Sequence, residues 1–191
     1  MASNDFSISW VAPIVPSMSL AGIPLGVNAE VLERVLLKYI VDADSLLYKF
    51  ENSPDLRLRT HGLDALGNGG YSFSLFNDAI INDALKGTPA LSVMVRGGEV
   101  CAVKVYDFSF SGELAQEFVY KGVLSAGIGL GSLVSDLLLF TSLDFDDAEE
   151  WFYTDQDYGG LEVTGWGGPL EDHPDQVITA LCVISGATAQ V

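Results

Sequence analysis

Between positions 144 and 157 the chain sets seven carboxylates, Asp144, Asp146, Asp147, Glu149, Glu150, Asp155 and Asp157, beside Trp151, Tyr153 and Tyr158, with Trp166 shortly after. Oxygen ligands at this density raise the question of a divalent cation. A calcium loop starting at Asp155 would need an oxygen ligand at its fifth position and a glutamate at its twelfth. Those positions hold Gly159 and Trp166, so the match ends after two ligands. With His61 and His173 as its two histidines, far apart, the chain has little material for a zinc site. Two carboxylates near aromatic rings are also the parts of a glycosidase, but no spacing singles out an acid from a base. There is no G-x-S-x-G elbow and no local Cys–His pair. The expectation is therefore no catalytic residue, no metal and no cofactor. Aromatic anchors inside a charged rim instead describe a protein-binding face.

The elements that would present these residues follow from periodicity. In Glu149-Glu-Trp-Phe-Tyr-Thr-Asp155 a strand period of two puts Trp151 and Tyr153 on one side, with Glu150, Phe152 and Thr154 on the other. Both sides are part apolar, so the solvent-facing one stays open at this point. Phe145, Phe152 and Leu161 are expected in the core. Further strands are predicted over 46–50, 56–60, 71–76, 91–95, 99–106, 117–123, 141–145, 160–166 and 177–184, with Arg96-Gly-Gly-Glu99 as a tight hairpin turn.

A phrase repeats. Ala21-Gly-Ile-Pro-Leu-Gly26 recurs 105 residues later as Ala126-Gly-Ile-Gly-Leu-Gly131, and each copy runs into a helical pattern. After the first, Val31, Leu32, Val35, Leu36 and Tyr39 form a stripe, with Asn28 as N-cap and Glu30 in the first turn. After the second, Leu133, Val134, Leu137 and Leu138 repeat the spacing, with Ser132 as the expected cap. Glycines before a helix invite a phosphate-binding reading. The first copy, however, has Pro24 where the second has Gly129, so the feature tolerates loss of an N–H and of positive φ. A packing turn accounts for both copies. The fold class expected is α+β, in two related lobes that each comprise a helix followed by an antiparallel meander. Residues 1–124 would form the first lobe, with an N-terminal strand, 125–184 the second, and 185–191 a tail.

Charge divides along the same boundary. The last 70 residues hold 12 aspartates and glutamates and no lysine or arginine, out of 26 acids and 9 bases in a chain of net charge −17. Such a field repels nucleic acid and anionic lipid and attracts cationic partners. With 49% hydrophobic residues among 191, the chain is a folded protein with an acidic coat. The apolar stretch 123–143 contains Gly127, Gly129, Gly131 and Asp136, which argues against a membrane span. Cys101 and Cys182 sit in alternating apolar runs and read as buried free thiols. No basic leader segment is evident, and the compartment expected is the cytoplasm.

The phrases Gly22-Ile-Pro-Leu-Gly26, Phe50-Glu-Asn-Ser-Pro54, Gly67-Asn-Gly-Gly-Tyr71, Leu143-Asp-Phe-Asp-Asp-Ala-Glu-Glu-Trp-Phe-Tyr-Thr-Asp155 and Gly159-Gly-Leu-Glu-Val-Thr-Gly165 make the chain resemble immunity proteins. These are encoded beside antibacterial effectors of type VI secretion and related polymorphic toxin systems. The chain resembles in particular those that accompany cytoplasmic nuclease toxins. The repeated turn is also similar to that of small tandem inhibitor domains that bind enzymes across a concave sheet, an analogy of fold alone. The resemblance implies a cognate toxin as partner, suppressed by occlusion of its cleft or by blocked assembly. Charge agrees with it, because a nuclease presents lysine and arginine to phosphates, and an acidic inhibitor gains fast, steered association with that surface. The expected contacts are Asp144, Asp146, Asp147, Glu149, Glu150, Asp155 and Asp157, with Trp151, Tyr158 and Trp166 as anchors. Two alternatives stand beside this reading. One is a scaffold module that forms a homo-oligomer through a sheet edge or the apolar helix after Ser132; the other is a carboxylate-based hydrolase.

Overall fold

Alternation of apolar and polar residues organises most of the chain, as seen in a computed structural model that describes residues 5–185. A short hairpin, β1 (Ser19–Leu20) and β2 (Ile23–Pro24), precedes the helix α1 (Ala29–Leu36). The strands β3 (Ile40–Asp42), β4 (Leu47–Tyr48), β5 (Leu56–Leu63), β6 (Gly69–Leu75), β7 (Leu91–Arg96) and β8 (Glu99–Tyr106) follow. After a connection containing 3-10 turns at Leu114–Phe118 and Val134–Leu139 come β9 (Leu143–Asp146), β10 (Trp151–Thr154), β11 (Leu161–Thr164) and β12 (Ala180–Ile184). Strands β3 to β12 form one ten-stranded antiparallel sheet in the order β3-β4-β5-β6-β7-β8-β12-β11-β10-β9. The class is α+β, with one short α-helix among the described residues.

This single sheet runs across the boundary predicted between two lobes. Strand β12 pairs antiparallel with β8 over Ala180↔Tyr106 to Ile184↔Ala102. On the core face, Leu56, Phe73, Val93, Val103, Val105, Leu181, Val183, Val163 and Phe152 are buried. Ile8, Trp10, Leu20, Ile23, Leu32 and Leu36, from the N-terminal segment, the first hairpin and α1, belong to the same core. Burial of side chains this size stabilises by about 1.5–3 kcal/mol each, which is what holds the covering segment on the sheet. The Tyr71 hydroxyl on β6 donates to Glu33 Oε1 of α1 at 2.5 Å, and Trp10 Nε1 donates to the Phe118 carbonyl at 2.9 Å.

The two glycine turns make equivalent backbone bonds, the first to the β7–β8 hairpin and the second to the segment that leads into β12. Gly26 N donates to Val100 O (2.8 Å), Val100 N to Val27 O (2.9 Å) and Ala29 N to Gly98 O (2.8 Å). In the second copy Gly131 N donates to Ile178 O (2.9 Å), Ile178 N to Ser132 O (2.8 Å) and Val134 N to Gln176 O (3.0 Å). Asn28 caps α1 as expected, its Oδ1 accepting Glu30 N at 2.8 Å. The second element differs from expectation: Val134–Leu139 is a 3-10 run whose cap residue is Leu133, without a side-chain acceptor. Ser132 Oγ instead accepts Gly129 N at 3.1 Å.

Three further expectations are corrected. The strand predicted over 117–123 is a 3-10 turn followed by an extended segment. That segment bonds to the N-terminal one, Lys121 N to Trp10 O and Ile14 N to Val123 O, instead of joining the sheet. The N-terminal strand reduces to two isolated bridges, Ser9↔Glu51 and Val15↔Ser19. Cys182 is buried and free, whereas Cys101, the extra residue of a bulge opposite Met94, is partly exposed. The predicted tail lies outside the described residues except for Ser185. The Arg96-to-Glu99 turn forms as expected, with Gly97 and Gly98 both at positive φ, as a two-residue hairpin of this twist requires.

Candidate partner-binding face

Register settles the side of β10 that sequence left open. Phe152 is 2% exposed and lies opposite Phe145 and Val163, which places it in the core. Trp151 and Tyr153 therefore occupy the face opposite the core. A row of directly paired residues crosses that face: Asp144, Tyr153, Glu162, Cys182, Lys104, Ser92, Ser72 and Thr60. Beside it lie the pairs Asp146↔Trp151 and Ala180↔Tyr106. One end of the row is acidic and aromatic, and the other is small and hydroxylated.

Asp144 is exposed, while Asp146 is tied into the hairpin turn, its Oδ1 accepting Ala148 N at 2.8 Å and Glu149 N at 3.2 Å. That turn sets Asp147, Glu149 and Glu150 out in solvent, with Glu150 at φ 60°. Asp146, Glu149 and Glu162 converge electrostatically on the Tyr153 hydroxyl, whose pKa is raised first by burial and then by these carboxylates. Burial also raises the Glu162 carboxyl; the Lys104 ammonium and the Cys182 thiol, which donates to it, pull it down less than burial pushes it up. The Cys182 thiol is pushed far above its ordinary range by burial and by Glu162, so it is inert at neutral pH. Lys104 Nζ sits 4.6 Å from the centroid of the Trp151 ring, a cation–π contact.

The other predicted residues lie elsewhere. Asp155, Asp157 and Tyr158 occupy the connection after β10, separated from the 147–150 tip by that strand, on the order of 10 Å at its rise per residue. Asp155 accepts from Tyr158 N (2.9 Å), Ser142 N (3.0 Å) and Ser142 Oγ (3.3 Å), and these bonds hold its carboxyl below the ordinary range. Its oxygens organise the loop. Tyr158 packs half-buried against the core and Asp157 is exposed. Trp166 is 57% exposed, with its ring edge-on to His173 at 6.1 Å.

Sequence reasoning passed over Lys104, Tyr106 and Phe110. The alternation in 99–106 already places Lys104 and Tyr106 opposite Val103 and Val105, so that signal existed; Phe110, in an irregular connection, had none. Among the described residues, no three His, Cys, Asp or Glu side chains cluster so as to hold a metal ion, and no helix is long and apolar enough to cross a membrane.

No protein-family model and no curated protein matches the chain. Among solved structures it is similar to a cysteine-rich secretory protein from Staphylococcus aureus, at 10% identity and TM-score 0.32. That alignment covers 95% of this chain and 50% of the other, so the chain spans about half the length of that structure. At this score the likeness carries no argument about fold or function.

Proposed function

We propose that this protein is an immunity protein that binds and neutralises a cognate antibacterial toxin, of the nuclease type, through the acidic and aromatic end of its sheet. The observation that carries the reading is the grouping of Asp144, Asp146, Tyr153, Glu162 and Trp151 on the face opposite the core, flanked by the exposed tip acids Asp147, Glu149 and Glu150. A rigid sheet holds these groups in fixed relation. Carboxylates there attract the lysines and arginines that a nuclease must present to phosphate, and Trp151 supplies contact area. The chain acts by occupying or blocking, with no chemistry of its own, in the cytoplasm where such a toxin works. An internal duplication belongs to the reading. Supporting it are the three backbone bonds repeated between glycine turns 105 residues apart, although one copy carries an α-helix and the other a 3-10 run.

The toxin domain encoded by the adjacent reading frame is the test. Its expression should arrest growth, and co-expression of this chain should restore it. Replacing Asp146, Asp147, Glu149 and Glu150 together by lysine should slow association at low salt by about 10-fold or more and flatten its salt dependence. Because Asp146 holds the turn, the triple variant at Asp147, Glu149 and Glu150 checks that the loss is electrostatic. Unchanged association and protection in both variants would sink the assignment.

A self-associating scaffold is the second reading. It is favoured by Leu138, Leu139 and Phe140, which are 53%, 82% and 51% exposed beside the second glycine turn. A monomeric mass in solution at 100 μM would exclude it.

A further inference from the structure

A cleft of about 510 Å³ opens where β8 leaves the sheet. Both halves of the chain build it. Tyr106 and Phe110 come from the end of β8 and the connection after it, Leu85 from the connection before β7, and Trp151, Trp166 and Ala180 from the second half. Its walls are mainly apolar, yet Phe110 is 48% and Trp166 57% exposed. Large rings standing in solvent around a concavity lose apolar hydration when a side chain fills it.

The polar groups of the wall narrow the choice of occupant. Asp107 Oδ1 accepts Ser109 N at 2.9 Å and Ser109 Oγ at 2.6 Å. Thr164 Oγ1 donates to Glu150 O at 2.7 Å, Thr179 Oγ1 to Gly165 O at 2.9 Å, and Gln116 Oε1 accepts Gly112 N at 3.0 Å. A sugar or nucleotide needs convergent polar groups that are free to bind it; these bonds engage Asp107 Oδ1, Ser109, Thr164 and Thr179, and leave chiefly the Tyr106, Thr88 and Ser111 hydroxyls and the Gln116 amide N–H to such a ligand. The rim supplies charge instead. Asp146 lies opposite Trp151, Glu162 belongs to the neighbouring strand, and the Glu150 carboxylate borders Gly167, next to Trp166.

We infer that this cleft is the anchor pocket of the partner-binding face, and that it takes an apolar side chain of a protein segment flanked by lysine or arginine. The cation next to the anchor meets the Asp146, Glu150 and Glu162 carboxylates, while Lys104, already seated on Trp151, marks how a cation stacks there. The inference rests on the partner-binding reading of this face but not on the partner being a toxin.

The acetylated peptide GKFRG is the probe, beside GEFEG, which reverses the charge, and GKARG, which lacks the anchor. Indole N–H resonances are followed on titration into the full chain. GKFRG should shift the signals of Trp151 and Trp166 and leave that of buried Trp10 unmoved, with the other two peptides at least 5-fold weaker. Trp166→Ala and Phe110→Ala, both at exposed positions, should each weaken GKFRG at least 5-fold. Equal binding of the three peptides, shifts at Trp10 alone, or a chitotriose probe that moves the same indoles in preference would each overturn the inference. With the adjacent toxin the two readings separate. Protection by wild-type chain with Trp166→Ala binding as tightly overturns the pocket and leaves the immunity reading standing. Capture of GKFRG at the cleft by a chain that fails to protect does the reverse.

Discussion

The two glycine turns are held by equivalent backbone bonds but deliver different elements. In the first copy Asn28 stands at the cap position and α1 buries Ala29, Leu32, Val35 and Leu36. In the second, Leu133 stands at the corresponding position, 105 residues on, and the 3-10 run buries Val134 and Leu137. Phe140, which corresponds to Val35, is half exposed. A helix of this length needs both its cap and its apolar stripe, since propensity alone does not sustain eight residues. The main chain thus sets the attachment of each turn, while the form of the covering element depends on one capping side chain and on how much apolar surface it buries.

The two turns differ most at the glycines themselves. Ala21 and Gly22 form a two-residue turn with φ of 52° and 79°, and a Cβ on Gly22 would fall far inside contact with the Ser7 carbonyl oxygen. Gly127 has nearly the same φ, 80°, but nothing within 4 Å of the site of its Cβ. Gly22→Ala should cost about 3–5 kcal/mol, adding a clash with rigid backbone to a left-handed conformation, whereas Gly127→Ala should cost about 1–2 kcal/mol from conformation alone. Urea unfolding of the two variants measures the difference. Equal losses would mean that the Ser7 segment yields and that the first turn is not the tighter of the two.

The cap offers the next test. Asn28→Ala should lower stability by about 1 kcal/mol, and Leu133→Asn should raise it by about 0.5–1 kcal/mol while increasing helical circular dichroism. A neutral Leu133→Asn would assign the 3-10 form to the residues that follow the cap. Ser135 and Asp136, whose side chains compete for backbone, are the candidates for that role.

Much of this architecture was legible because it depends on local chemistry. Asn28 before an amphipathic stripe, paired glycines between two alternating runs at 96–99, and valines spaced by two in β8 each point to one structure. Two of the failures, the strand expected over 117–123 and the open side of the Trp151 strand, originate in contacts distant along the chain, whereas the 3-10 run after Ser132 reflects its local capping chemistry. The segment 117–123 has strand composition, but Tyr120 is buried beside Trp10 at a ring distance of 5.7 Å, and the backbone bonds of that segment go to the N-terminal segment. Likewise Trp151 and Phe152 are both apolar, and the pairing of Phe152 with Val163 decides which of them is inside. Of the candidate face, the acids and Trp151 could be read in advance; the cleft could not, since Tyr106 and Phe110 reach it from the other half.

The smallest effect expected concerns the two carboxylates that environment moves in opposite directions. Asp155, held by loop donors below its ordinary range, adds stability above its unfolded pKa that is lost as pH falls through its folded one. Glu162 behaves in the opposite sense. Its folded pKa is raised, so the stability it favours is fully present below the unfolded pKa and is lost as pH rises through the folded pKa. Glu162→Gln should therefore match wild type near pH 3.5 and be slightly more stable at pH 7, in urea unfolding followed across that range. The variant also gives up the attraction of Lys104, which opposes the effect of burial. A loss of stability at pH 7 would mean that this attraction outweighs desolvation, and that the centre of the face is held by an ion pair instead of tolerating a strained charge.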